Sequence, residues 1–309
     1  MGLKKLLLLL KPLDIYPSLQ LLPSSPSSNF DRHRRILSYL HDRTSAHKNA
    51  ISICQNILKK KSIDFEAIFR NDLHESIRDV DLVISVGGDG TLLQAGHLIN
   101  DSTPVLGVNS DPTRPEEVAE FSDEFDATRS TGYLCAATAS NLEEILDGII
   151  AKRSTPSELA RIAIRVNAKL LSISALNDVL LAHPSPAAVS RFSFRVKKRD
   201  SSPLIHCRSS GLRVSTAAGS TAAMLSAGGY PMPILSKELQ YMVRESISPP
   251  PSSAAAASHG SVKPDEKLDV TWFSGQGALH IDGSHVVHHV RLGDSIHFSS
   301  AAPPLNVYL

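Results

Sequence analysis

The segment VISVGGDGTLLQA, residues 83–95, constrains the fold more than any other stretch of the chain. Leu82–Val86 is a continuous β-prone run, Gly87-Gly88-Asp89-Gly90 breaks it, and a helix-compatible stretch opens at Thr91. A strand that runs through a glycine turn into a helix, with further strands and helices alternating around it, belongs to a parallel sheet covered on both faces. Gly87, Gly88 and Gly90 let backbone N–H groups approach a phosphate without Cβ interference. The helix start adds donors and partial positive charge. Open α/β sheets bind ligands at this end of their strands. Asp89 is the odd residue, because a carboxylate repels phosphates. It suggests a second task, accepting a hydroxyl proton or holding a metal ion, and both suit phosphoryl transfer to an alcohol. The alternative is a tight turn with an Asp capping the helix. The turn is neither GxGxxG nor a Walker A loop, which disfavours hydride transfer and P-loop chemistry.

The rest of the first half fits that frame. The chain has 309 residues, enough for about two domains. With 42% hydrophobic and 20% charged residues it is far from the composition of a disordered chain. Its net charge of +1 gives no whole-molecule field for nucleic acid or a membrane, so neither is expected as a partner. Cys54, Cys135 and Cys207 form no CxxC pair, which argues against a disulfide scaffold or structural zinc and for a reducing compartment. Leu6–Leu10 follows Lys4 and Lys5 but ends at Lys11-Pro12 without a cleavage site, and reads as a buried first strand rather than a signal peptide. Gly2 with Leu6 at position 6 disfavours myristoylation, and Val307-Tyr308-Leu309 is no SKL-type address. A cytoplasmic location is expected, with a peroxisomal one left open. Ser24–Ser28 reads as a loop and Arg32–Arg43 as a polar helix with a solvated Arg/His face. Ala50, Ile51, Cys54, Ile57 and Leu58 make one helical apolar stripe, with Cys54 in the core. Val105–Val108 is a second buried strand, and Ser140 with Glu143 predicts a capping box before a helix carrying Leu142, Ile145, Leu146 and Ile149.

Near residue 150 the pattern changes to short strands separated by Gly or Asp. Ile162, Ile164 and Val166 alternate, as do Phe192, Phe194 and Val196, and further runs lie at 268–273, 278–281, 286–290 and 296–298. An α/β domain over 1–150 and a β-rich domain over 151–309 are expected, with a C-terminal segment able to return to the first. Pro249–Ser258 reads as a mobile loop. Residues 211–229, GLRVSTAAGSTAAMLSAGG, place Thr216, Gly219, Ser220 and Thr221 between a short strand and an Ala-rich helix ending at Gly228-Gly229. That is either a polar ligand site or a small-residue helix packed against a sheet. Asn177-Asp178 heads the apolar strand Val179–Leu181 and can bind vicinal hydroxyls or make a turn. His280, His285, His288 and His289 lack a Cys or carboxylate at ligand spacing, so no metal site is expected there. Arg191, Arg195, Lys197, Lys198 and Arg199 read as a solvated strand and turn, with nucleotide or subunit contact as the alternative.

Together VGGDGT (86–91), VLGVN (105–109), ALNDVLL (175–181), TAAGSTAAMLSAGG (216–229) and IDG (281–283) resemble the NAD kinase family, and most of all its plant NADH kinase branch. GGDGT alone is shared with diacylglycerol- and sphingosine-type lipid kinases. The ND and GSTA elements make the match specific. The resemblance implies a Rossmann-like α/β N-terminal domain plus a β-rich C-terminal domain, the two-domain architecture of NAD and diacylglycerol kinases. It implies a homo-oligomer, with a dimer expected, that uses ATP and Mg²⁺ to phosphorylate the adenosine-ribose 2′-hydroxyl of NADH and NAD. Carried over, Asp89 is the candidate base, and Gly87, Gly88, Gly90 and Thr91 form the phosphate-side loop. Asn109, Asn177, Asp178, Thr216, Gly219, Ser220, Thr221 and Ala222 belong to the nucleotide pocket. Two positions depart from the family pattern. Ser210 stands where an Asp is usual and Ala223 where a Tyr is usual, and loss of a carboxylate near a cationic nicotinamide would favour the neutral NADH. An insertion of roughly 110–131, rich in acidic residues, separates VLGVN from Gly132-Tyr133-Leu134 and reads as a solvated loop, with donor binding as the alternative. The competing readings are a GGDGT lipid kinase and a non-catalytic dinucleotide sensor.

Overall fold

The computed structural model describes residues 3–13, 30–99, 102–197, 203–247 and 258–309. The expected loop at 24–28, nearly all of that at 249–258, Gly2, Lys198 and Arg199 lie outside these residues. Two compact units emerge, Met1–Ser157 with Asn306–Leu309, and Glu158–Leu305. In chain order the first carries β1 (Lys5–Leu10), α1 (Phe30–Lys60), β2 (Asp64–Phe69), β3 (Leu82–Gly87), α2 (Asp89–Leu98), β4 (Val105–Asn109), α3 (Pro115–Glu120), β5 (Ala137–Thr138) and α4 (Leu142–Ile150). In the second lie β6 (Ser157–Leu159, where the chain crosses between units), β7 (Ala163–Val166), β8 (Lys169–Leu170), β9 (Asp178–Ala182), β10 (Ser190–Lys197), β11 (Ile205–Ser209) and β12 (Gly211–Ser215). A 3₁₀ turn at Ala218–Thr221, α5 (Ala223–Ser226), β13 (Leu239–Arg244), β14 (His259–Val262), β15 (Lys267–Trp272), β16 (Gln276–Ile281), β17 (Val286–Arg291), β18 (Ser295–Ser299) and β19 (Leu305–Tyr308) complete the order.

In the first unit the parallel order is β2-β1-β3-β4. At the far edge of β4, Val307 and Tyr308 of β19 cover Val105 and Leu106, and β5 covers Val108 and Asn109. The α1 stripe of Ile51, Cys54, Ile57 and Leu58 and the α4 residues Leu142, Leu146 and Ile149 pack with Leu6, Leu8, Ile84 and Leu106 in one core. α2 packs on the sheet through its own buried residues, Leu92, Leu93 and Ala95. This unit is the helix-covered parallel sheet that the glycine turn required. The second unit is a pair of antiparallel sheets, β11-β10-β15-β18-β7-β8 and β14-β13-β12-β9-β16-β17, enclosing one aromatic and aliphatic core. An α/β domain with a β-rich partner is therefore what the chain forms.

Three expectations change. α1 is one helix through both the polar and the apolar stretch; Arg32, His33, Arg34, Arg35 and His41 form the expected solvated face, but Arg43 turns toward protein, as does His47 beyond it. The capping box at Ser140 does not form. The N-cap is Asn141, whose Oδ1 is taken by the Thr138 amide (2.7 Å), while Ser140 pairs with the Thr138 hydroxyl. The stretch 110–131 is solvated at Arg114, Glu116, Asp123 and Asp126 as expected, but it carries α3 and is no free loop, because a buried guanidinium pins it to α1. Arg129 is fully buried and bonds Asp111 (2.6 Å), Asp42 (2.6 Å) and Glu117 (2.7 Å), and Asp111 also takes Arg43 (2.9 Å). The guanidinium lies 5.1 Å from the Tyr39 ring centre, and the Tyr39 hydroxyl donates to the Ala127 carbonyl (2.7 Å). Phe121 and Phe125 close the cluster over Tyr39.

Removing one partner of a buried charge network strands the others without compensation. Arg129→Met should therefore cost about 3–5 kcal/mol in urea unfolding. Arg129→Lys should restore only part, since an ammonium lacks the planar fork that serves several carboxylates. A Met variant within about 1 kcal/mol of wild type would show the network to be worth no more than surface pairs.

Candidate functional site

In the first unit, three parallel strands deliver Lys11, the Gly87–Gly90 turn and Asn109 to one sheet edge. Two of the glycines are required by the chain's own packing. A Cβ on Gly87 would fall 2.2 Å from Thr91 Oγ1, and one on Gly88 would fall 2.4 Å from Ser130 Oγ. A Cβ on Gly90 meets nothing nearer than Arg70 Nη1 at 3.7 Å, so that position is open toward solvent. Thr91 is buried, and among the described residues its hydroxyl has no partner. Asp89 is the first residue of α2, and it does not cap the helix. Its carboxylate reaches the segment after the insertion, where Oδ2 accepts the Tyr133 amide (2.9 Å) and Oδ1 the Leu134 amide (2.8 Å). Cys135 Sγ lies 3.8 Å from Oδ1, and burial, then the charge of Asp89, push its thiol up to about 12. That thiol stays protonated at neutral pH.

The Gly132–Leu134 segment is itself fixed from below. Gly132 has φ +61°, and a Cβ there would fall 2.4 Å from Asn109 Nδ2. Asn109 donates to the Ser130 carbonyl (3.1 Å). Next to it, Ser110 meets His47, a buried residue of α1. The Lys11 carbonyl can only accept, so Nε2 of the neutral ring donates to it (2.9 Å) and Nδ1 accepts from the Ser110 hydroxyl (2.7 Å). Burial holds the His47 imidazole below its ordinary value.

In the second unit the register of β12, β9 and β16 brings three separated motifs to one sheet end. Ser215 faces Asp178, and Ile281 faces Val179. Asp282 follows in a left-handed conformation (φ +50°), and its carboxylate collects the amides of Asn177 (2.7 Å), Leu176 (2.8 Å) and Asp178 (3.0 Å). Asp178 pairs with Arg213, yet its burial outweighs that pairing and raises its carboxyl above the usual range. The Asn177 carbonyl accepts the Thr216 amide (3.0 Å). The Thr216 hydroxyl donates to the Leu176 carbonyl. A Cβ on Gly219 would fall 2.1 Å from the Asn177 oxygen, so only glycine lets the 3₁₀ turn sit against this carbonyl. Ser220 is buried, donating to the Ala217 carbonyl (2.7 Å) and accepting the Met232 amide (2.8 Å).

The structure thus groups Gly87, Gly88, Asp89, Gly90, Thr91 and Asn109 in one unit, and Asn177, Asp178, Thr216, Gly219 and Ser220 in the other. Thr221 is half-buried, and Ala222 and Ala223 are exposed at the start of α5. The expected Ala-rich helix is instead a 3₁₀ turn and one short α-helical turn, broken where Ala222 takes φ −100° and ψ −131°. Ser210 is not brought to its cluster. It precedes β12 while Thr216 follows it, roughly 20 Å away at about 3.3 Å per strand residue. A charge at position 210 is therefore no contact of this cluster within one chain. Sequence reasoning left Asp282 without a role although the IDG turn was visible, and it missed His47, Ser130 and the Tyr133 and Leu134 amides.

Known proteins share this chain's sequence and fold. Residues 27–112 match the model of the ATP-NAD kinase N-terminal domain. The chain is 56% identical to an NADH kinase of Arabidopsis thaliana, over all of this chain and 96% of that protein. It is 53% identical to a probable NADH kinase of Oryza sativa subsp. japonica, over all of this chain and 97% of that one. Its fold is similar to that of a yeast NADH kinase solved in complex with NADH, with a TM-score of 0.66 at 15% identity, covering 100% of this chain and 84% of the other.

Two outcomes follow from the geometry. Gly219→Ala, which forces a methyl into the Asn177 carbonyl, should lower the melting temperature by several degrees, as about 1–2 kcal/mol does for a chain this size. Gly90→Ala should leave it within a degree or two. Scanning calorimetry distinguishes them. The depressed His47 value means the unfolded chain takes up that proton first as pH falls. Its stabilisation is present above about pH 6.5 and is lost as pH drops through the folded value. Urea unfolding from about pH 7.5 to about 5 should show a shallower decline for His47→Gln than for wild type. Parallel declines would contradict this.

Proposed function

The chain belongs to the NAD kinase family, and from that premise we propose that it transfers the γ-phosphoryl group of ATP to the adenosine-ribose 2′-hydroxyl of NADH, and of NAD, giving NADPH and NADP. The observation that carries this reading is full-length identity above one half to proteins named NADH kinase. The lipid-kinase and sensor readings are not favoured by any of these relatives.

Phosphoryl transfer needs positioning and charge management more than covalent chemistry. In this reading Asp89 accepts the proton of the 2′-hydroxyl. Oδ1 takes the Leu134 amide and the Cys135 thiol, while Oδ2 takes only the Tyr133 amide and keeps a second lone pair, so the carboxylate is oriented yet still able to accept. Gly87, Gly88, Gly90 and Thr91 lie on the phosphate side, and the open face of Gly90 suits the approach of a phosphate to the α2 amides. Asn177 and Asp178 hold the dinucleotide, with Asp282 fixing their backbone. Thr216, Gly219 and Ser220 act through shape, because their polar groups are already committed to the chain. Asn109 acts in the same way, its amide being taken by the Ser130 carbonyl and the Asp111 amide, while Thr221 and Ala222 add ligand contacts to those of Asn177 and Asp178. Mg²⁺ enters with ATP. The described residues group no three His, Cys, Asp or Glu side chains as a dedicated site, and Mg²⁺ is commonly held by phosphates with one or two carboxylates. The expected homodimer belongs to the same reading.

Two substitutions test it. Asp89→Asn should lower kcat by about 10²–10⁴-fold, the usual span for a general base, while NADH still raises the melting temperature. Undiminished turnover would remove Asp89 from the chemistry. Gly90→Ala should fold normally and raise the KM for ATP at least several-fold. An unchanged KM would place the donor phosphates elsewhere.

A further inference from the structure

The sheet β11-β10-β15-β18-β7-β8 turns Phe192, Phe194, Val196, Leu268, Val270, Ile296 and Phe298 into the core of the second unit. Strand alternation leaves the other face to a set of cations. Arg191, Arg195 and Lys197 of β10, Arg208 of β11, Lys267 of β15 and Arg165 of β7 are all exposed. Asp269 is the one carboxylate on these strands, and it is already bonded by His297 Nδ1 (2.6 Å).

The register makes the arrangement costly. Lys197 stands directly opposite Lys267, and Arg191 directly opposite Arg208, while Arg195 faces Asp269. Like charges in direct cross-strand pairs destabilise a sheet. Among the described residues no carboxylate forms an ion pair with Arg191, Arg195, Lys197, Arg208 or Lys267. In a chain of net charge +1, this one face holds an uncompensated excess of positive charge.

The face is also concave. Arg165, Lys197, Lys267, Asp269 and His297, with Pro303 and its neighbours, line a cavity of about 360 Å³. That lies in the range of small-molecule sites. Lys267 and Arg165 stand on β15 and β7, two strand spacings apart and staggered by two residues, or about 12 Å. Long side chains converging from that separation fit two anionic groups of one small molecule. We infer that this cavity binds a small polyanion, a compound bearing two or more phosphate or carboxylate groups, on the opposite sheet of the unit from Asn177 and Thr216. The bound anion supplies the negative charge that the opposed lysines lack. A concave pocket, rather than a long groove, favours a small ligand over a polymer.

Inorganic pyrophosphate is the probe, added to full-length protein already saturated with NADH and a non-hydrolysable ATP analogue so that the kinase site is filled. At low ionic strength, wild type should show a dose-dependent rise in melting temperature. Lys197→Gln/Lys267→Gln should weaken the apparent affinity at least tenfold while keeping kcat and both KM values. Without pyrophosphate, the double variant should melt at or above the wild-type temperature at low salt, since a repulsion has been removed. The single variant Lys267→Gln should fall between the two in affinity. No rise in wild type, an equal rise in the double variant, or a double variant that melts well below wild type would each overturn the inference. Binding of heparin or RNA without binding of pyrophosphate would overturn it in favour of a polymer. None of these readings depends on which nucleotide the kinase site uses.

Discussion

The GGDG turn and the Asn177-Asp178 motif are each organised around a carboxylate that gathers backbone amides. In the first, Asp89 takes the Tyr133 and Leu134 amides. In the second, Asp282 takes those of Leu176, Asn177 and Asp178. Hydrogen bonds to an ionised acceptor are the strong ones, and several on one group fix its position as well as its charge. The two carboxylates do different work. Asp282 spends its capacity on holding the Asn177-Asp178 backbone at the head of β9. Asp89 is held in place by the segment it touches, and is left with a lone pair to spare on Oδ2.

That difference explains why the residues around the GGDG turn are ordered so heavily. The Asp89 donors lie on a segment reached only after a long excursion from β4. Left loose, this excursion would leave the carboxylate without partners. Arg129 removes that freedom by gathering Asp42, Asp111 and Glu117 onto α1. His47 and Asn109 tie the same region to β1 and β4. The chain from buried guanidinium to Ser130, Gly132 and the two amides is continuous. Stability in the insertion and geometry at Asp89 are therefore one problem.

Much of this was legible in the sequence, and the parts that were not have physical reasons. Leu6–Leu10, Leu82–Val86 and Val105–Val108 announced themselves because strands buried on both faces are nearly pure apolar runs. β2 did not, since Asp64 and Glu66 stand exposed on an edge strand, and β11 was masked by its exposed His206 and Arg208. The unity of α1 was hidden because its first half is polar toward both solvent and the insertion. Asp89 was visible as a carboxylate out of place. Its partners were not, because a backbone amide carries no residue signature. The Arg129–Asp42 bond joins residues 87 apart, and no local spacing encodes it. Ser210 was legible as a departure from the family pattern, but only strand register reveals that it lies at the far end of β12 from Thr216.

The central claim is that the chain phosphorylates the 2′-hydroxyl of a nicotinamide dinucleotide, with NADH as a substrate. The most direct measurement gives purified protein ATP and Mg²⁺ with NADH or NAD in parallel and locates the new phosphate by ³¹P NMR. The account predicts a 2′-phosphate monoester on both dinucleotides. Folded protein that phosphorylates neither dinucleotide, or that phosphorylates a diacylglycerol or sphingoid base instead, would contradict it.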